Sequence, residues 1–257
     1  MIFDTHCHLD SVDFDEDREQ ILNDMETRGF TPCVVVGADM PSSRSSRALA
    51  QTRPWLYWAA GVHPHDADTY CDAFHDELLA MMREKKCVAW GEIGLDYHYD
   101  LSPRETQRVV FARQLDAACE IGKPLILHIR EAHGDATDIL RARRGKLPQG
   151  VVHCYSGSAE QAKIYLDMGF YLGFDGPVTF KKAPRLAEVA QMCPRDRLLV
   201  ETDSPYMSPE PLRGRRNDPC NTEYIARKLA EIRGETFEQI CRTTRENGMR
   251  LFGIEEK

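Results

Sequence analysis

Met1-Ile2-Phe3-Asp4-Thr5-His6-Cys7-His8-Leu9-Asp10 opens the chain. Ile2 and Phe3 begin an apolar strand, and the strand ends in His-x-His. Successive side chains of an extended chain point to opposite faces, so His6 and His8 share one face and Cys7 takes the other. Two imidazoles side by side at a strand end are the start of a metal site. The fold then turns on whether other apolar runs end in the same kind of chemistry.

They do. Strands are expected at Ile2–His6, Cys33–Gly37, Leu56–His63, Cys87–Ile93, Pro124–His128, Val151–His153, Phe170–Phe174 and Arg197–Glu201. Amphipathic stretches alternate with them, for example Asp15–Arg28, Arg104–Ile121 and Ala159–Met168, and two more helices close the chain at Thr222–Ile232 and Thr236–Phe252. Gly29, Gly122, Gly169 and Gly234 stand where helix C-caps are expected, and Ser102-Pro103 reads as a cap followed by a first-turn proline. Strand–helix alternation of this kind points to parallel strands and an α/β fold, the (β/α)8 TIM barrel. Residues 1–257 fit one such barrel, which runs to about 250 residues, and no linker composition divides them.

At the strand ends stand His6 and His8, His63-Pro64-His65, Glu92, His128, His153 and Glu201-Thr202-Asp203. In a barrel the C-terminal strand ends converge on one mouth, where active sites lie. His6, His8, Glu92, His128, His153 and Asp203 are ligand-type side chains, more than one catalytic ion takes, so two divalent ions sharing a carboxylate are expected. Glu92 is assigned as the bridge, and Asp203 as both ligand and general base. The mixed imidazole and carboxylate set leaves Mg, Mn or Zn open. Cys7 and Cys154, each beside a ligand, are expected to point into the layer behind the site, and His133 to lie on a surface loop.

The formal charge of −8 argues against a protein that coats nucleic acid by charge alone. No apolar run approaches the roughly 20 residues that span a bilayer, so no membrane partner is expected. Nine scattered cysteines without a Cys-x-x-Cys pair argue against a disulfide framework and fit a cytoplasmic setting. A monomer is expected.

The segments Phe3–Asp10, Gly61-Val62-His63-Pro64-His65, Gly91-Glu92-Ile93-Gly94-Leu95-Asp96-Tyr97, Pro124–Arg130, His153-Cys154-Tyr155-Ser156-Gly157 and Glu201–Tyr206 together resemble the TatD family of metal-dependent deoxyribonucleases. The resemblance implies a TIM barrel of the amidohydrolase superfamily, with His6, His8, Glu92, His128, His153 and Asp203 as ligands of two ions. It implies DNA as substrate, single-stranded or at chain ends, cut from the 3′ side by in-line attack of metal-bound hydroxide. His63, Arg130, Arg213, Arg215 and Tyr155 are the expected substrate contacts: arginines on phosphate, the tyrosine against a base. Two positions depart from the family pattern: Gly134 stands where an acid is usual after Arg130, and Tyr155 where Phe is common. Two other readings are an amide or ester hydrolase of the same superfamily, such as a D-aminoacyl-tRNA deacylase, and a non-catalytic metal-binding scaffold. The Glu at position 92, where many cyclic-amide hydrolases use a modified Lys, and the intact ligand set count against them.

Overall fold

A computed structural model describes residues 1–255. In chain order the elements are β1 (Asp4–Cys7), α1 (Arg18–Arg28), β2 (Cys33–Val36), α2 (Met40–Ala50), β3 (Leu56–Ala60), α3 (Asp72–Met81), β4 (Cys87–Asp96), α4 (Arg104–Ile121), β5 (Leu125–Arg130), α5 (His133–Arg141), β6 (Gly150–Val152), α6 (Ala159–Asp167), β7 (Tyr171–Phe174), α7 (Pro184–Met192), β8 (Leu198–Val200), α8 (Thr222–Arg233) and α9 (Phe237–Phe252). The eight strands pair in parallel in sequence order. The ring closes between β1 and β8 through a bridge of Cys7 with Ser204 and backbone hydrogen bonds from His8 to Ser204 and from Asp203 to His6. Eight strands alternating with helices in this order make the (β/α)8 barrel.

Strand alternation sorts the apolar side chains into two layers. Val34, Val36, Ala59, Ala89, Ile126, Val151, Tyr171 and Leu199 form an inner cluster that Met249 and Phe252 of α9 complete, so the last helix plugs one end. Their neighbours Cys33, Val35, Trp58, Trp90, Leu127, Leu172 and Val200 face outward and pack with the helices. Gly248 lets α9 come close: a Cβ there would stand 2.7 Å from the Phe3 ring.

Two local expectations are corrected. Residues 133–141 are helical, with His133 buried and its Nδ1 3.0 Å from the Tyr165 hydroxyl. The short polar segment His-Gly-Asp-Ala-Thr-Asp looks like a loop because its apolar contacts are few and its glycine is a poor helix former. Ser102 is not the cap of α4; its hydroxyl donates to the His65 carbonyl, and Pro103 takes the cap position. The buried Gln107 braces the same corner, its amide donating to the carbonyls of Asp96 and Ser102.

Candidate metal centre

β1, β4, β5, β6 and β8 deliver His8, Glu92, His128, His153 and Asp203 to one cavity of about 690 Å³, with His6 fully buried against Glu92. His6, Glu92 and His153 are buried, while His8, His128 and Asp203 are partly open to it. Glu92 stands at the centre. Its Oε2 faces His6 Nε2 at 3.4 Å and His8 Nε2 at 3.9 Å, and its Oε1 faces His128 Nδ1 at 2.9 Å and His153 Nε2 at 3.0 Å. Asp203 Oδ1 completes the first group, 3.3 Å from His8 Nε2 and 3.7 Å from His6 Nε2.

The separations in the first group fit a cation, while those of Glu92 Oε1 to His128 and His153 are hydrogen-bond distances. Ligands about 2.0–2.1 Å from a tetrahedral ion stand roughly 3.3–3.4 Å apart. The two imidazole nitrogens of His6 and His8 approach to 3.2 Å, a separation suited to a shared ion as well as to a hydrogen bond between the rings. Ring orientation agrees. His8 Nδ1 donates to the Val36 carbonyl at 2.8 Å, and His153 Nδ1 lies 3.2 Å from Glu201 Oε1, so each ring in its neutral form turns a free Nε2 toward the centre.

Electrostatics point the same way. Burial opposes the charged forms of Glu92 and Asp203, but the surrounding imidazoles outweigh it and hold both below the usual carboxylate range. Burial likewise opposes charge on His8 and His153, yet the facing carboxylates raise both, His8 to about 9. Burial instead lowers His6 and His63, so the demand for positive charge comes from the ionised Glu92 and Asp203 and falls on the histidines that face them most directly, His8 and His153.

The remaining predicted residues separate. His63 stands within ligand range of Glu92 and His128. However, its Nδ1 accepts from the His65 N–H at 3.1 Å, which places the neutral ring's proton on Nε2, a donor aimed into the cavity. Arg130 lines the cavity, its guanidinium 4.7 Å from the Tyr99 ring centre and without an acidic partner among the described residues. Tyr155 lines the cavity but is only 2 % exposed: its hydroxyl donates to the Ser158 carbonyl, and its ring packs beside His133 and Tyr165, which leaves little of it for a base. Arg213 and Arg215 fall outside the cavity wall. They sit on an exposed loop, with Arg213 over Phe180, because the intervening chain folds onto Asn217, whose amide donates to the carbonyls of Thr202 and Tyr206. Asp135, the acid beside Gly134, accepts from the Tyr97 hydroxyl and pairs with Arg108, a structural role.

Cys7 points behind the site, its sulfur 3.2 Å from that of Cys33. Cys154 does not. The strand has ended at Val152, Cys154 adopts φ 43°, and alternation no longer governs it, so it lines the cavity.

Asp96, Glu201 and Asp175 are functional candidates that the sequence reading passed over. Asp96 Oδ2 lies 3.0 Å from both His65 Nε2 and His128 Nε2. Its even spacing from Glu92 along one strand was the available signal. Glu201 is fully buried, accepts the Cys154 N–H, and orients His153. Gly173 is the reason it fits, since a Cβ there would stand 2.4 Å from the carboxyl.

Comparison with known proteins gives a consistent set of relatives. The sequence model for TatD related DNase matches residues 3–253. The chain is 41 % identical to the uncharacterized metal-dependent hydrolase YabD of Bacillus subtilis (strain 168), over 99 % of this chain and all of that one. It is 37 % identical to the 3′-5′ ssDNA/RNA exonuclease TatD of Pectobacterium atrosepticum, covering 98 % of this chain and 100 % of that protein. Among solved structures, the TatD homologue YJJV of Escherichia coli K12 superposes with a TM-score of 0.93 at 31 % identity, covering 99 % of this chain and 98 % of its own.

Proposed function

The chain belongs to the family of TatD related DNases, metal-dependent hydrolases, and from that premise we propose that it is a two-ion phosphodiesterase that shortens single-stranded DNA from its 3′ end. The observation that carries this reading is the division of Glu92: one oxygen faces His6 and His8 and the other faces His128 and His153, in a cavity that also presents the unpaired Arg130. His6, His8 and Asp203 would hold one ion, His128 and His153 the other, and Glu92 both. When bound, the ions supply Lewis acidity, bringing the pKa of water toward 7 and neutralising charge on the phosphate.

The chain's own groups account for the rest. The Asp203 carboxylate, kept ionised by the imidazoles around it, takes the proton of the attacking water. Arg130 holds a phosphate oxygen, its plane fixed against Tyr99. His63 donates through Nε2 to a further phosphate oxygen. The cavity admits a chain end or a single strand, since a duplex is too wide to enter without fraying. Arg130 favours a phosphate ester over a neutral amide in that position.

The test uses protein stripped of metal, resupplied with Mg, Mn or Zn, and given short end-labelled single-stranded DNA. Glu92→Ala and Asp203→Ala run alongside. A ladder shortening from the 3′ end, dependent on metal and absent in both variants, is the expected result. Intact DNA under every metal, with two ions bound per chain, would refute the phosphodiester assignment and turn attention to aminoacyl-tRNA and amide substrates.

A further inference from the structure

A second group of donors stands beside the pair. Cys154, Asp175 and Asp203 each offer one ligand atom, and these atoms lie within 4.8 Å of one another. They come from the loops that follow β6, β7 and β8. The juxtaposition is built in. Cys154 adopts φ 43° and its backbone N–H is held by Glu201, which fixes the turn that brings it to the cavity. Gly176, next to Asp175, lies so close to the following strand's loop that a Cβ would meet the Met207 carbonyl oxygen at 1.7 Å. The β7 and β8 loops are thereby pressed together, with Asp175 beside Asp203.

One atom of this group lacks a partner. Asp175 is 2 % exposed; its carboxyl meets the Cys154 thiol, and its buried Oδ2 has no hydrogen-bond partner among the described residues. An acceptor shut away from water without a donor is costly, and a bound cation would satisfy it. Neither the assignment of the paired ions nor the handling of phosphate uses Cys154 or Asp175. We propose that Cys154, Asp175 and Asp203 form a third cation site, selective for a thiophilic divalent ion of the zinc class.

The donor chemistry sets the selectivity. A thiolate prefers zinc or cadmium to magnesium, whereas the paired site, with no sulfur, accepts harder ions. Binding replaces the thiol proton of Cys154 with the cation and releases that proton to solvent. Cys154 lines the main cavity, so the ion has a path from solvent. Asp203 is shared with the paired site, so an ion held here draws the carboxylate away from its work on water. Excess zinc then inhibits an enzyme that runs on magnesium or manganese. This consequence rests on the two-ion reading of the site, while the binding itself does not.

The experiment titrates cadmium into the full chain in the presence of saturating manganese and follows the ultraviolet thiolate-to-cadmium charge-transfer band. All proteins carry Cys71→Ser, because Cys71 is the exposed cysteine. The expected result is a band that saturates with one added ion, disappears in Cys154→Ala, and needs about tenfold more cadmium in Asp175→Asn. Circular dichroism of each variant confirms folding, and Cys154→Ser, which keeps size and loses the soft ligand, provides the second variant. A band unchanged in Cys154→Ala and Cys154→Ser, or no band in the parent, overturns the site. Manganese stoichiometry is read in the same samples. Fewer than two manganese ions would sink the paired-ion reading while leaving the Cys154 band to be judged separately.

Discussion

Replacing Glu201 by alanine isolates the support of the centre from the centre itself. Glu201 touches no cavity solvent, and its Oε1 accepts from the Cys154 N–H at 2.5 Å and faces His153 Nδ1 at 3.2 Å. Alanine leaves two buried donors without an acceptor, at about 1–3 kcal/mol each, so the chelated protein should lose roughly 2–6 kcal/mol against urea. It also frees the His153 ring to carry its proton on Nε2, where it faces Glu92 Oε1 and cannot ligate. Loss of such an orienting carboxylate typically weakens metal affinity about 10–100-fold, or about 1.4–2.7 kcal/mol. Glu201→Gln keeps an acceptor oxygen and loses only charge, so it should retain most of the affinity. Calorimetric titration of stripped protein with manganese reads the weaker of the two binding steps, and nitrogen-15 chemical shifts of His153 read its tautomer. If Glu201→Ala binds both ions as the parent does, or if Gln is as damaging as Ala, the orienting role is wrong.

Other consequences follow from the same geometry. Gly173→Ala should reproduce the weakened ion binding of Glu201→Ala, because its Cβ would stand 2.4 Å from the Glu201 carboxyl; unchanged manganese affinity would show that the carboxyl can move aside. Arg130→Ala should raise KM for single-stranded DNA about tenfold and lower the salt slope of binding by about one, with ion affinity unchanged; loss of ion affinity would count against a phosphate contact. His133 is buried and neutral, and burial lowers its pKa to about 4. The unfolded chain titrates near 6.5, so the folded protein gains the full benefit above that pH and loses it as pH falls toward 4, about 3 kcal/mol in all. His133→Gln should flatten this part of the acid unfolding profile in chelator, measured by urea midpoints; a parent-like slope would place the acid sensitivity elsewhere.

The barrel and most of its mouth could be read in the sequence because both obey simple periodicities. Period-two alternation holds while the chain is in a strand, and it correctly set His6 and His8 together and Cys7 behind them. It failed at Cys154 for a physical reason: one residue past His153 the backbone enters the left-handed region, and the side chain returns to the cavity. Helix α4 was legible because its eighteen residues carry a long amphipathic pattern ended by Gly122. Helix α5 was not, since its nine residues lean on packing around His133 that local propensity does not encode. Glu201 and Asp96 lay in plain view within quoted segments. Their roles depend on which histidine each one meets across the sheet, and one strand's sequence does not specify that. Basic loops are the weakest case, because exposed arginines can fold toward a cavity or away from it, and Arg213 and Arg215 lie away.

The seam of the barrel runs through the centre. Asp4 receives the Thr202 N–H and hydroxyl, two groups 198 positions away in the chain. His6 and His8 on one side of this join face Asp203 on the other. During synthesis the first histidine pair leaves the ribosome long before the acid that completes its set, and a partly made chain has no place for an ion that needs all three. Any cation bound there acts as a clasp between the two ends of the ring. Its affinity is paid back as resistance to opening of that join, so scarcity of metal would be felt first as fraying where β1 meets β8 and only afterwards in the packed layers behind.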